Sequence, residues 1–118
     1  MNEQGQDLRE RTMKFALQVV RMFVALPKTT EAQVLGKQVL RSGTSIGANY
    51  REAYRGRSRN EFVAKCGDCL REAEETAYWL ELLATARIVP ASRLQQLRQE
   101  VDELIAILVT IVKRAKGD

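Results

Sequence analysis

The sequence predicts an all-α fold: a single-domain, antiparallel up-down-up-down four-helix bundle. Three observations carry that expectation. Apolar residues recur at alternating spacings of three and four through four consecutive stretches, which is the period of one helix face. The 118 residues include only 2 Pro and 7 Gly, so the elements between breakers are long. The connections between the stretches are short, and short connections make neighbouring helices antiparallel. No alternating apolar-polar run bounded by turn residues is present, so strands are not expected.

The first helix is expected over about residues 7–26, with Leu8, Phe15, Val19, Met22 and Leu26 on one face and Pro27 ending it. The second, about 30–56, opens on Thr30-Glu31-Ala32-Gln33, which reads as a capping box with Thr30 as the cap. Its stripe is Leu35, Val39, Ser42, Ile46, Asn49 and Ala53, and it stops near Gly56. The third, about 59–87, follows a second capping box, Ser58-Arg59-Asn60-Glu61, and carries Phe62, Cys66, Cys69, Ala73, Thr76, Leu80 and Leu83 as a heptad seam. The fourth, about 91–116, begins after Pro90 and carries Leu94, Leu97, Val101, Leu104, Leu108, Ile111 and Ala115. Lys113, Arg114 and Lys116 fall in its last turn, where cations complement the helix dipole, and Gly117 is a stop.

Composition narrows the function classes. Hydrophobic residues make up 45% and charged residues 29%, a globular balance for one domain. There is no His, which excludes Ser-His and Cys-His nucleophile pairs and half the usual zinc ligands. No catalytic residue, cofactor site or metal site is therefore expected, and the chain reads as a non-enzyme. No stretch reaches the roughly 20 apolar residues of a membrane span, and the N-terminus is not a signal peptide. The expected location is cytoplasmic, with no membrane partner. The net charge of +4 permits an anionic partner without requiring one.

Four local patterns stand out. Ser42-Gly43-Thr44-Ser45-Ile46-Gly47-Ala48-Asn49-Tyr50 is small and polar where bulky apolar residues would pack better. Gly43 and Gly47 each cost a helix interior about 1 kcal/mol relative to Ala, so close approach of another helix is the expected compensation. Folding the second and third helices against each other places Ser42 near Ala73 and Thr76, and Asn49 near Cys66. Ser42 and Asn49 are thus expected to hydrogen-bond inside the bundle and fix its register.

The second pattern is basic. Between Lys28 and Arg59 there are seven basic residues against two acidic ones. Arg41, Arg51, Arg55, Arg57 and Arg59, with Tyr54, are candidates for nucleic-acid contact, since Arg forks bind phosphate and Tyr stacks on bases. The competing reading is a solvated helix end whose arginines pair with Glu52 or Glu61. The third, Cys66-Gly67-Asp68-Cys69, has the spacing of a redox or metal motif, but both thiols fall on an apolar seam with no second pair or His. Core cysteines are the favoured reading. The fourth is the acidic run Glu72, Glu74, Glu75 and Glu81 around Tyr78 and Trp79. It is either a charged outer face or one side of an oligomer interface.

These residues together resemble a known family. The string from Ser42 to Ala53 is similar to the I-x-x-N-x-x-E-A signature of the four-helix bundle proteins encoded by intervening sequences in bacterial 23S ribosomal RNA genes. Arg59-Asn60-Glu61-Phe62 and Glu75-Thr76-Ala77-Tyr78-Trp79-Leu80-Glu81-Leu82-Leu83 resemble that family's R-x-E-F and E-T-x-Y-W-L-x-L-L stretches. The resemblance spans about residues 15–113. It implies an up-down bundle that assembles as a ring of five copies, a homopentamer. It also relates the chain to the accessory variability protein of diversity-generating retroelements, a basic pentamer that binds a reverse transcriptase and nucleic acid. On this resemblance, Ser45, Ile46, Asn49, Glu52, Ala53, Glu61, Phe62, Glu74, Thr76, Tyr78 and Trp79 are fold and assembly positions alongside Ser42, Gly43 and Gly47. The arginine cluster would be the nucleic-acid face. Cys66 and Cys69 depart from the family pattern. The expected function is a homo-oligomeric adaptor for RNA or DNA, with service to a reverse transcriptase as its most specific form. The alternative is a structural or protein-interaction module with no nucleic-acid role.

Overall fold

The computed structural model describes the backbone of residues 3–115 and the side chains of 8–115. It contains four helices: α1 (Glu3–Val24), α2 (Thr30–Tyr54), α3 (Arg59–Thr85) and α4 (Ala91–Ala115). They form an elongated bundle of 45 × 22 × 21 Å. Each helix packs antiparallel against the next. The α2–α3 interface is the most extensive, α1 meets α4 only loosely, and α1 and α3 lie diagonally across the bundle. Among the described residues no strand is present and no helix is long and apolar enough to cross a membrane.

The boundaries depart from the expected ones mainly at the ends. α1 begins four residues earlier, at Glu3, and it, α2 and α3 each stop two residues short of the expected positions. Lys116 and Gly117, expected to close the fourth helix, lie outside the described residues. The first capping box also shifts by one. Thr29, not Thr30, is the N-cap of α2, its extended backbone turning the side chain to accept from Ala32 N–H at 3.3 Å. The Gln33 amide instead donates to the Pro27 carbonyl at 2.9 Å and ties down the α1–α2 turn. At α3 the Ser58 cap forms as expected, accepting from Glu61 N–H at 3.1 Å, while the Glu61 carboxylate accepts from Arg57 N–H at 2.7 Å.

The heptad stripes become the core. Phe15, Val19, Val39, Ile46, Cys66, Cys69, Ala73, Leu80, Leu83, Leu94, Val101 and Leu104 are fully buried. Thr12 joins them, which its polarity conceals in the sequence; its hydroxyl donates to the Leu8 carbonyl at 2.7 Å, so it packs as a small branched residue.

α2 is buried on two sides, and this accounts for its glycines. A Cβ at Gly43 would stand 2.9 Å from Val19 Cγ2, and one at Gly47 would stand 3.0 Å from Thr12 Oγ1. A Cβ at Gly36 would collide with Leu26. α1 thus lies directly on the glycine track of α2, and the backbone approach offsets the helix-propensity cost. The opposite flank of α2 meets α3, where Thr76 Oγ1 and Ser42 Oγ lie 2.8 Å apart, both buried. Asn49, expected to bond across the same seam, is only half-buried and donates to the Ser45 carbonyl of its own helix at 3.1 Å. A bond to the carbonyl four residues back is available to Asn49 without reaching across to α3, and it is the one made.

Polar ties complete the bundle. Arg11 on α1 makes a two-pronged ion pair with Glu100 on α4, at 3.0 and 2.7 Å, and reaches Glu103 at 3.2 Å. This spans the loosely packed α1–α4 side. At the α3–α4 turn, Arg87 sits at φ 58°, while Ile88 N–H donates to the Leu83 carbonyl and Arg87 N–H to the Ala84 carbonyl. That is a Schellman closure with arginine where glycine usually stands.

Candidate nucleic-acid interface

The candidate site lies at the end of the bundle formed by the α2–α3 turn and the last turn of α4. α2 delivers Arg51 and Tyr54 and is C-capped by Arg55, the turn delivers Arg57, and Arg59 opens α3; all four arginines are exposed. The turn is tight because a Cβ at Gly56 would stand 3.0 Å from the Ala53 carbonyl oxygen. Arg59 then reaches across the bundle: its Nε donates to the Ala115 carbonyl at 2.8 Å and its Nη2 to the Arg114 carbonyl at 3.3 Å. It neutralises the negative end of the α4 dipole. The same contact brings Lys113 and Arg114, both exposed, beside the α2–α3 turn.

The acids near this end have other engagements. Glu52 pairs with Lys65 at 3.0 Å, and Glu61 holds the Arg57 N–H. Among the described residues, Arg51, Arg55, Arg57, Lys113 and Arg114 make no salt bridge to a carboxylate. Beside Arg55, Arg57 and Lys65 lies a shallow depression of about 550 Å³, also lined by Glu52 and Glu61.

Two of the expected contact residues are differently placed. Arg41 sits ten residues before Arg51, about 15 Å away along the helix axis. It pairs with Glu72 at 3.3 Å and with Glu75, both on α3. The guanidinium holds the Glu75 carboxyl below its usual range, helped by a bond from Trp79 Nε1 at 3.4 Å. Arg41 is therefore a cross-tie of the α2–α3 seam, apart from the basic end. Tyr54 is half-buried against Tyr50, and the Arg9 guanidinium lies 4.1 Å from its ring centroid. One ring face is already occupied by a cation–π contact, so Tyr54 offers less stacking surface than its sequence position implies. Arg9 belongs to this end as well. Nothing in the sequence marks it, because its partner is 45 positions away in the chain.

The assembly candidates divide in two. Ser42, Gly43, Gly47 and Thr76 are internal to the chain's own packing, while Ser45 donates to the Arg41 carbonyl at 2.6 Å and Asn49 bonds within α2. Glu74 and Tyr78 are exposed, with the Tyr78 ring edge-on to Trp79 at 5.1 Å between centroids.

Cys66 and Cys69 are free and fully buried in the core. Burial pushes the Cys66 thiol up to about 11 and the Cys69 thiol higher still. Both are protonated at neutral pH and lack the thiolate that redox and metal chemistry need. Among the described residues no group of three or more His, Cys, Asp or Glu is placed to hold a metal ion. At the opposite end of the bundle, an apolar cavity of about 470 Å³ opens between α1 and α4, floored by Met22, Leu26, Val89 and Leu97.

Comparison with known proteins agrees with this architecture. A crystal structure of a protein of unknown function from the S23 ribosomal protein family, from Bacteroides thetaiotaomicron VPI-5482, superposes with a TM-score of 0.86 at 36% sequence identity. The alignment covers 92% of this chain and 97% of that one. No curated protein matches the sequence. Residues 5–110 match the family described as 23S rRNA-intervening sequence protein. With nearly the whole bundle matched in sequence and the fold matched in space, the chain belongs to the 23S rRNA-intervening sequence protein family.

Proposed function

We propose that this protein is a non-enzymatic homo-oligomer that binds nucleic acid, RNA or DNA, through the basic end of its bundle. The observation that carries the reading is the pair of Arg59 bonds to the carbonyls of Arg114 and Ala115. They gather Arg51, Arg55, Arg57, Lys113 and Arg114 at one end, where exposed guanidinium forks suit phosphate oxygens. A ring of five, the assembly implied by the family resemblance, would multiply that charge. An accessory role to a reverse transcriptase in a diversity-generating retroelement is the finer form of the same reading.

The test is Arg51→Glu with Arg55→Glu, measured by filter binding to single-stranded RNA and DNA over a salt series. Affinity is expected to fall at least about tenfold, with a shallower salt slope, and an unchanged helical spectrum. Binding indifferent to both charge reversal and salt would refute the reading. A second reading, a structural or protein-interaction module without nucleic acid, is favoured by Arg41 and Arg59 being engaged inside the chain. Protein purified without nuclease would then show no nuclease-sensitive excess of absorbance at the nucleic-acid maximum.

A further inference from the structure

α1 carries two apolar stripes, of which the bundle uses one. Leu8, Phe15, Val19 and Leu26 face the core. Met13, Leu17, Val20 and Val24, spaced four, three and four, lie on the opposite face and remain 54%, 47%, 39% and 68% exposed. Isolated exposed apolar residues need no explanation, but four on one heptad seam over three turns form a packing surface. Lys14 and Arg21, both exposed, flank this stripe on one side, and Glu10 precedes them by a turn.

The outer face of α3 has the complementary pattern. Arg71, Glu74, Tyr78 and Glu81 are exposed at spacings of three, four and three, with Tyr78 56% exposed at the centre. Lys14 and Arg21 are seven residues apart, and so are Glu74 and Glu81, so each pair is separated by about 10.5 Å along its helix. The two charge pairs match in either direction, and both directions set Tyr78 beside Leu17; Glu10 decides between them. Run parallel, with Lys14 at Glu74 and Arg21 at Glu81, the helices bring Glu10 to Arg71, a third opposite-charge pair. Run antiparallel, Glu10 meets Thr85 and Arg71 meets the apolar end of the stripe at Val24.

We propose that the outer face of α1 docks in parallel on the outer face of α3 of a second copy of this chain. This rests on the homo-oligomer reading and names its surfaces. The two faces differ, so the contact is heterologous, and because α1 and α3 are diagonal each copy offers one face to either neighbour. In an up-down-up-down bundle α1 and α3 run the same way. Parallel docking therefore sets every bundle pointing in one direction, and the basic ends of all copies meet on one face of the assembly. The complementary charges specify register, while the Met13-Leu17-Val20-Val24 seam and Tyr78 supply the apolar contact.

The test is solution mass by light scattering at about 50 μM protein. Wild-type protein is expected to be oligomeric. Lys14→Glu with Arg21→Glu, or Glu74→Lys with Glu81→Lys, is expected to give mostly monomer with an unchanged helical spectrum. The quadruple charge swap is expected to restore the wild-type mass, which no unfolding artefact would do. A Glu10→Cys, Arg71→Cys double variant is expected to form a covalent ladder on oxidation, as only the parallel register allows. A monomeric wild type would remove both the homo-oligomer reading and these surfaces. An oligomeric wild type whose mass ignores both reversals, or is not restored by the swap, would overturn the surfaces and leave the oligomer standing. Restoration without the covalent ladder would overturn the parallel register.

Discussion

Thr76 of α3 and Ser42 of α2 place their hydroxyl oxygens 2.8 Å apart in the middle of the bundle, both fully buried. Thr76 Oγ1 also lies 2.7 Å from the Glu72 carbonyl, and Ser42 Oγ lies 2.9 Å from the Gln38 carbonyl. Two protons serve three acceptor contacts: each hydroxyl has a carbonyl of its own helix within reach, and the contact between the two is the polar link across the seam. Ser42→Ala or Thr76→Val alone is expected to cost about 1–2 kcal/mol, because the remaining hydroxyl loses a partner in a dry seam. The double variant is expected to cost less than the sum, by at least about 0.5 kcal/mol. Urea titration of the four proteins measures the coupling, and strict additivity would mean that the two hydroxyls do not act as a pair.

The glycines of α2 and α3 are expected to respond to alanine with opposite signs. Gly43→Ala forces the new methyl against Val19, whose β-branched side chain has little room to rotate, and an overpacking cost of about 1–3 kcal/mol follows. At Gly67, on α3, nothing lies within 4 Å of where a Cβ would stand, so Gly67→Ala is expected to stabilise by about 0.5–1 kcal/mol through helix propensity alone. Thermal unfolding of the two single variants distinguishes packing from propensity.

Arg87 is the non-glycine residue with positive φ among the described residues, at 58°. Arg87→Gly keeps the Schellman bonds and removes the steric cost of the left-handed conformation, with an expected gain of about 1 kcal/mol. Chemical denaturation checks it. A loss of stability would mean that the Arg87 side chain contributes more to the turn than its exposed position implies.

The core is expected to fail in alkali. Burial pushes the Tyr50 hydroxyl from its ordinary 10 up to about 12, and the Cys66 thiol from 9 up to about 11. Both groups are acids held neutral by the fold, while the unfolded chain releases their protons at the ordinary values. Stability is therefore full below about pH 9 and falls as pH rises toward 12, at up to about 1.4 kcal/mol per unit for each group. Urea midpoints at about pH 8 and about pH 10.5 should show the decline, and Tyr50→Phe should make it shallower between about pH 10 and 12, the buried Cys66 and Cys69 thiols supplying the rest. An unaltered slope in that variant would assign the loss to other groups.

Periodicity alone located the helices and most of the core, because burial in a bundle is decided by helical position: every residue of the α3 seam from Cys66 to Leu83 is buried as its spacing requires. The Ser42–Thr76 contact was legible for the same reason, since an antiparallel pair joined by a short turn has a fixed register. The basic end was only half legible. Arg51, Arg55 and Arg57 are near one another in sequence, but Lys113 and Arg114 join them through Arg59 from more than fifty residues away.

Local spacing and caps, both written in the chain, were enough to dictate the four elements and the identity of the seam residues. Which charges face solvent was a matter of packing. Arg41 and Arg51 look alike in the chain, yet one pairs with Glu72 and Glu75 and the other makes no salt bridge among the described residues. The physical reason is that an ion pair depends on distances of a few ångströms between side chains on different helices. Those distances are set by how the helices sit against one another, and proximity along the chain does not predict them.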